Sequence, residues 1–113
     1  MTASMLPVRN PRTGEYDYEM PVTSADDIQS IAAGLRAAQM QWSALGVEGR
    51  AEVLNRFADS VTTELGPLAQ ALSVDTGRTT FAHFEAMKSV ELIRMWAERA
   101  GPILQDLAGS GQS

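Results

Sequence analysis

Val8–Thr23 reads VRNPRTGEYDYEMPVT, and it is the one stretch of the chain with the signature of strand and tight turn. Asn10-Pro11 starts a turn, because an Asn side chain bonds to backbone two residues on and Pro presets φ. Gly14 closes it, free to take positive φ. Tyr16, Tyr18 and Met20 then alternate with Glu15, Asp17 and Glu19, the period of a half-exposed strand. Pro21 lacks an amide donor and suits a strand end or an edge. The region from Leu6 to Val22 is therefore a β-hairpin or an extended segment. A lone hairpin is marginal in water, so this one needs support, and it is the element expected to be displaced, re-paired or exchanged between chains.

Everything downstream has helical periodicity. Thr23-Ser24-Ala25-Asp26-Asp27 is a helix start, with Ser24 as cap and Asp27 three residues on as a short capping box. The acidic pair Asp26-Asp27 is explained by the positive end of the helix dipole, without a cation. Ile28, Ile31, Leu35, Ala38 and Trp42 make one apolar stripe, and Gly46 ends the helix. A second stripe runs through Val47, Ala51, Leu54, Ala58, Val61 and Leu65. Gly66-Pro67 interrupts it, and Pro67 suits the first turn of a new segment. Leu68, Ala71, Leu72 and Val74 give a short third face that closes at Gly77. The last stripe, Phe81, Phe84, Met87, Val90, Ile93, Ala97 and Ala100, is widened by Leu92, Met95 and Trp96. So wide a face packs on more than one neighbour. Gly101-Pro102 interrupts that helix.

The expected fold is mostly α: the N-terminal hairpin or extended segment, then three to four helices at about 25–45, 47–65, 67–76 and 80–100. Residues 1–5 are expected to be disordered, 6–104 to form a single helical domain, and 105–113 to be a flexible tail. The chain's 113 residues suit one domain.

Composition excludes several function classes. A net charge of −5 and the lack of a dense basic run argue against nucleic acid and anionic membranes. No apolar run is long enough to span a bilayer. The absence of cysteine removes disulfides, thiolate metal sites and a cysteine nucleophile from this chain. It fits a reducing compartment, and the N-terminus lacks the charged and apolar regions of a signal peptide.

The residue inventory supports no catalysis. His83 lacks the partners of a catalytic constellation and reads as a structural or surface residue. NPRTG has neither GxGxxG nor P-loop spacing. The methionines read as core packing. Glu52 with Arg56, and Glu91 with Arg94, fall at helical pair spacings and read as solvated pairs.

The order of motifs carries more. NPRTGE, then SADDIQSIAAGLRAAQMQW, then GRAEVLNRFADSVTTELGPLAQALSVDTGR, then FEAMKSVELIRMWAERA resembles the N-terminal segment of the NAD(P)-dependent aldehyde dehydrogenase family. The resemblance covers about Val8 to Ala100. Gly34 and Gly49 stand where better helix formers are common in the family, and EYDYEM is more polar than its usual second strand.

The resemblance implies that these helices form part of an α/β coenzyme-binding domain. The parent enzyme would oxidise an aldehyde to an acid with NAD or NADP in the cytoplasm. The chain itself would be a structural fragment with no catalytic residue and no cofactor-binding residue of its own. It also implies a structural monovalent cation held by Asp75 through its carboxylate and by Val8 or Arg9 through a backbone carbonyl. The bland reading is that Asp75 stabilises the turn before Gly77. In the family a sheet covers these helices, so the chain alone is expected to self-associate or to join the rest of the parent enzyme. The alternative is a stand-alone helical module that acts in protein interaction or oligomerisation.

Overall fold

A computed structural model of the chain describes residues 4–110. It contains the hairpin β1 (Met5–Arg9) and β2 (Tyr16–Pro21), followed by α1 (Ala25–Ala44), α2 (Gly46–Thr63), α3 (Leu65–Thr76) and α4 (Ala82–Ser110). The strands are antiparallel, with Met5 opposite Pro21, Leu6 opposite Met20 and Val8 opposite Tyr18. The mostly helical architecture and the N-terminal hairpin both follow the sequence reading.

The hairpin departs from simple alternation. Arg9 is opposite Tyr16, so Asp17 is the extra residue of a β-bulge. Its carboxylate accepts from Asn10 Nδ2 at 3.0 Å. All six residues of β2 are exposed. The half-exposed strand of the sequence reading thus lacks its buried half. β1 already begins at Met5, because Val22 N donates to Ser4 O at 2.7 Å and extends the pairing. Residues 4 and 5 thus take part in the hairpin pairing. Residues 1–3 lie outside the described residues.

Helix boundaries follow local chemistry. At the start of α1, Ser24 Oγ accepts from Asp27 N at 3.1 Å, and Ser24 N donates to Asp27 Oδ2 at 3.4 Å. This is the capping box. Gly46 (φ 70°) turns the chain from α1 into α2. The next break comes at Glu64 rather than at Gly66-Pro67. Pro67 would clash with a helical Thr63 carbonyl, so the break must precede it, and Pro67 then falls in the first turn of α3 where no amide is missed.

α4 runs on through Pro102 to Ser110, beyond the helix end expected near Ala100. Pro102 removes one backbone bond, but the surrounding turns are held against α2. A Cβ on Gly101 would lie 3.7 Å from Val47 Cγ1. Leu104 lines an apolar cleft of ≈ 270 Å³ with Trp42, Val47, Leu54 and Ala97. Residues 111–113 of the expected tail lie outside the described residues.

The core is a seam of small side chains. Ala58 on α2, Ala69 on α3, and Ala82, Ala86, Val90 and Ala97 on α4 are its buried members, with Ala58 at 0% exposure. Small residues let the helix backbones approach closely, so α4 packs along both α2 and α3. Large apolar side chains stay outside: Ile28, Ile31, Leu35, Phe84, Leu92 and Trp96 are all exposed. α1 buries none of its residues.

The dimensions register this. The radius of gyration is 19.2 Å, against about 13 Å for a compact chain of this length. The accessible surface is 8983 Å², roughly 2,900 Å² above the value for a compact monomer of this mass. Among the described residues no helix is long and apolar enough to cross a membrane.

Candidate functional site at the hairpin–helix junction

The turn at Asn10–Gly14 is built by the Asn10 side chain. Its Oδ1 accepts from Arg12 N at 2.9 Å and from Thr13 N at 3.4 Å. Asn10 O accepts from Gly14 N at 2.8 Å, and Asn10 N donates to Glu15 O at 2.8 Å. Arg9 Nε donates to Gly14 O at 2.8 Å and braces the turn from the side. A rigid loop results, with Pro11 and Arg12 at its tip.

That tip lies against the end of α3. Gly77 takes φ 73°, and its amide donates to Ser73 O at 3.0 Å, which closes the helix. A Cβ there would stand 3.2 Å from Pro11 Cγ. Glycine is therefore required twice, for the left-handed backbone and for the approach of Pro11. The NPRTG and DTGR stretches, far apart in sequence, meet at this point.

A second tie lies beside it. Tyr18 Oη donates to the Asp75 carboxylate, at 3.1 Å from each oxygen. The hydrogen bond to Asp75 is the main cause that raises the Tyr18 phenol above its ordinary pKa, with desolvation and the negative charges of Asp75 and Asp17 adding to it. Asp75 sits in the last turn of α3, where no basic residue is present. The negative end of the helix dipole disfavours a carboxylate there and favours a donor or a positive charge.

Of the residues expected to hold a cation, Asp75 takes part in this junction through its bond to Tyr18. Val8 is half-buried and directly opposite Tyr18 in the ladder, and Tyr18 reaches Asp75. Sequence reasoning missed Tyr18. Its role depends on the bulge at Asp17, which local alternation does not reveal. Arg9, the other residue considered, has its side chain committed to the turn.

Other candidates fall elsewhere. Asp26 and Asp27 stay in the first turn of α1, with Asp27 in the cap. His83 is exposed on α4. Arg94 does not take Glu91: it reaches across to Asp59 on α2 at 2.6 Å, while Lys88 pairs with Glu91. Arg78 and Glu85, 2.6 Å apart, span the connection from α3 to α4. Among the described residues no group of three or more His, Cys, Asp or Glu could hold a metal ion.

Comparison with known proteins places the chain in a family. Residues 1–110 match the family described as "Aldehyde dehydrogenase family". N-succinylglutamate 5-semialdehyde dehydrogenase of Burkholderia cenocepacia (strain HI2424) is 34% identical over 106 residues, covering 88% of this chain and 22% of the relative. The protein of the same name from Paraburkholderia xenovorans (strain LB400) is 36% identical over 99 residues, covering 82% and 20%. The chain thus spans about a fifth of the length of these relatives. With a match along nearly all of its length, the chain belongs to the aldehyde dehydrogenase family.

Proposed function

We propose that this chain is the N-terminal structural segment of a cytoplasmic enzyme that oxidises an aldehyde to a carboxylic acid with NAD or NADP, and that it performs no chemistry alone. The observation that carries this reading is the mismatch between core and surface. A small-residue seam joins α2, α3 and α4, while most of the large apolar side chains of α1 and α4 remain exposed. Such surfaces mark places where further protein packs. The chain also has no cysteine to act as nucleophile. The relatives' name points to a semialdehyde that also carries carboxylates as the substrate class.

A structural monovalent cation is the second part of the proposal. Asp75 would supply a hard carboxylate oxygen, and Val8 or Arg9 a main-chain carbonyl. Support comes from the position of Asp75 at the negative end of α3 and from Tyr18, which links it to the ladder position of Val8. Its effect would be to hold the hairpin on the helix; no reaction step runs through it.

The experiment is coenzyme reduction by a longer gene product that carries this segment, assayed with N-succinylglutamate 5-semialdehyde and with an uncharged aldehyde. Formation of NADH or NADPH that depends on the aldehyde is expected. Its absence with both substrates would overturn the reading.

A further inference from the structure

We infer that α1 is a strap pinned at its two ends, and that the contacts of Tyr18 with Asp75 and of Pro11 with Gly77 are the latch at its N-terminal end. With the latch released, α1 is held only at its C-terminal end and swings about Gly46. This coupling is a property of the chain's own contacts and is independent of what covers the apolar face of α1.

The C-terminal pin is local. Residues 25–41 are all exposed, and Trp42 is the one half-buried residue of α1. Trp42 lines the cleft with Val47, Leu54, Ala97 and Leu104. Leu45 lies close over Gly49, where a Cβ would stand 3.1 Å from Leu45 Cβ. Gly46, at φ 70°, turns the chain between them. These contacts hold the last turn of α1 and leave the helix before it without support from the alanine seam. A few residues at the end of an element are where hinges form.

The N-terminal pin acts through the hairpin. Val22 N still pairs with Ser4 O, and the capping box begins at Ser24. Thr23 alone separates the ladder from the cap. One residue reaches at most about 3.6 Å, so a larger shift of the hairpin must be passed on to α1. The hairpin is stiffened by Arg9 on Gly14 O and by Asn10 on Asp17. It meets the helical body where Pro11 lies against Gly77 and Tyr18 Oη donates to Asp75. All six residues of β2 are exposed, so no buried face of that strand adds to the tie. α1 is about 30 Å long, and a swing of about 20° at Gly46 would carry its first turn about 10 Å. A small latch thus controls a large displacement.

The test uses pairs of spin labels on the 113-residue chain, which has no cysteine of its own. Labelled chain is diluted into unlabelled chain, so that distances within one chain are read by pulsed electron resonance. Asp26→Cys with His83→Cys reads the first turn of α1 against α4. Gln41→Cys with His83→Cys reads the pinned end, and Glu52→Cys with His83→Cys reads α2 against α4. All four positions are exposed. With the latch intact, each pair is expected to give one narrow distribution. In the Tyr18→Phe, Gly77→Ala double variant, the width between positions 26 and 83 is expected to at least double. The width from position 41 should grow less, and that from position 52 should not change. A broad distribution from position 26 with the latch intact would overturn the inference. So would a distribution that the double variant leaves narrow, equal broadening from positions 26 and 41, or a change from position 52, which would show that strap and body do not separate.

Discussion

The Tyr18 hydroxyl lies 3.1 Å from both carboxylate oxygens of Asp75, 57 positions further along the chain. With Pro11 against Gly77, this contact ties the hairpin to the helical body. The shared proton makes the tie sensitive to pH. The phenol is raised above its unfolded value of 10.0, so the folded state holds the proton more tightly. The stabilisation is fully present below that value and is lost as pH rises through the folded pKa. In an ultraviolet titration of tyrosinate, Tyr18→Phe should abolish a component that ionises above the ordinary tyrosine range. The same variant should lower the hydrogen-exchange protection of the β1–β2 amides near neutral pH. An unchanged titration curve would remove Tyr18–Asp75 from the account.

Gly77 and Gly34 should respond in opposite directions to the same substitution. Gly77→Ala forces a left-handed backbone on a residue with a Cβ, which costs about 1–2 kcal/mol, and its Cβ would press on Pro11. The melting temperature should fall. Gly34 lies inside α1 with open space where a Cβ would stand, so Gly34→Ala should stabilise the helix by about 0.5–1 kcal/mol. Thermal melts followed by circular dichroism check both.

The alanine seam should be intolerant of added volume. Ala58 has no exposed surface, and Ala58→Leu should cost about 1–3 kcal/mol through overpacking against α4. Denaturant titration measures it. A neutral result would show that α2 and α4 do not meet as closely as the buried alanines require.

The capping box of α1 should be worth a measurable amount. Ser24→Ala removes the acceptor for Asp27 N and should cost about 1 kcal/mol. Because α1 buries no residue, the loss should appear as fraying of its first turn in hydrogen exchange.

Helix identity was legible in the sequence because stripes, caps and terminal glycines agreed. Ser24, Gly46 and Gly77 each punctuate the chain where local chemistry says they should. Three features were not legible. The bulge at Asp17 depends on Asn10 across the turn. Pro102 stays helical because Gly101 and Leu104 meet α2, a contact that helix propensity ignores. The apolar stripes marked helix faces correctly, but the alanines among them became the core, since close packing selects the small members. Gly49 looked like a weak helix former, and the structure gives its reason: a Cβ there would stand 3.1 Å from Leu45 Cβ at the α1–α2 corner. At the candidate site, Asp75 and Val8 came from family resemblance, while Tyr18 needed the three-dimensional register.

The central claim is that this chain supplies structure and no chemistry. Its most direct test is coenzyme reduction by the purified 113-residue chain, with circular dichroism on the same sample to confirm that it is helical. The account predicts a helical protein that forms no NADH or NADPH when an aldehyde is added. Aldehyde-dependent formation of either by this chain alone would contradict it.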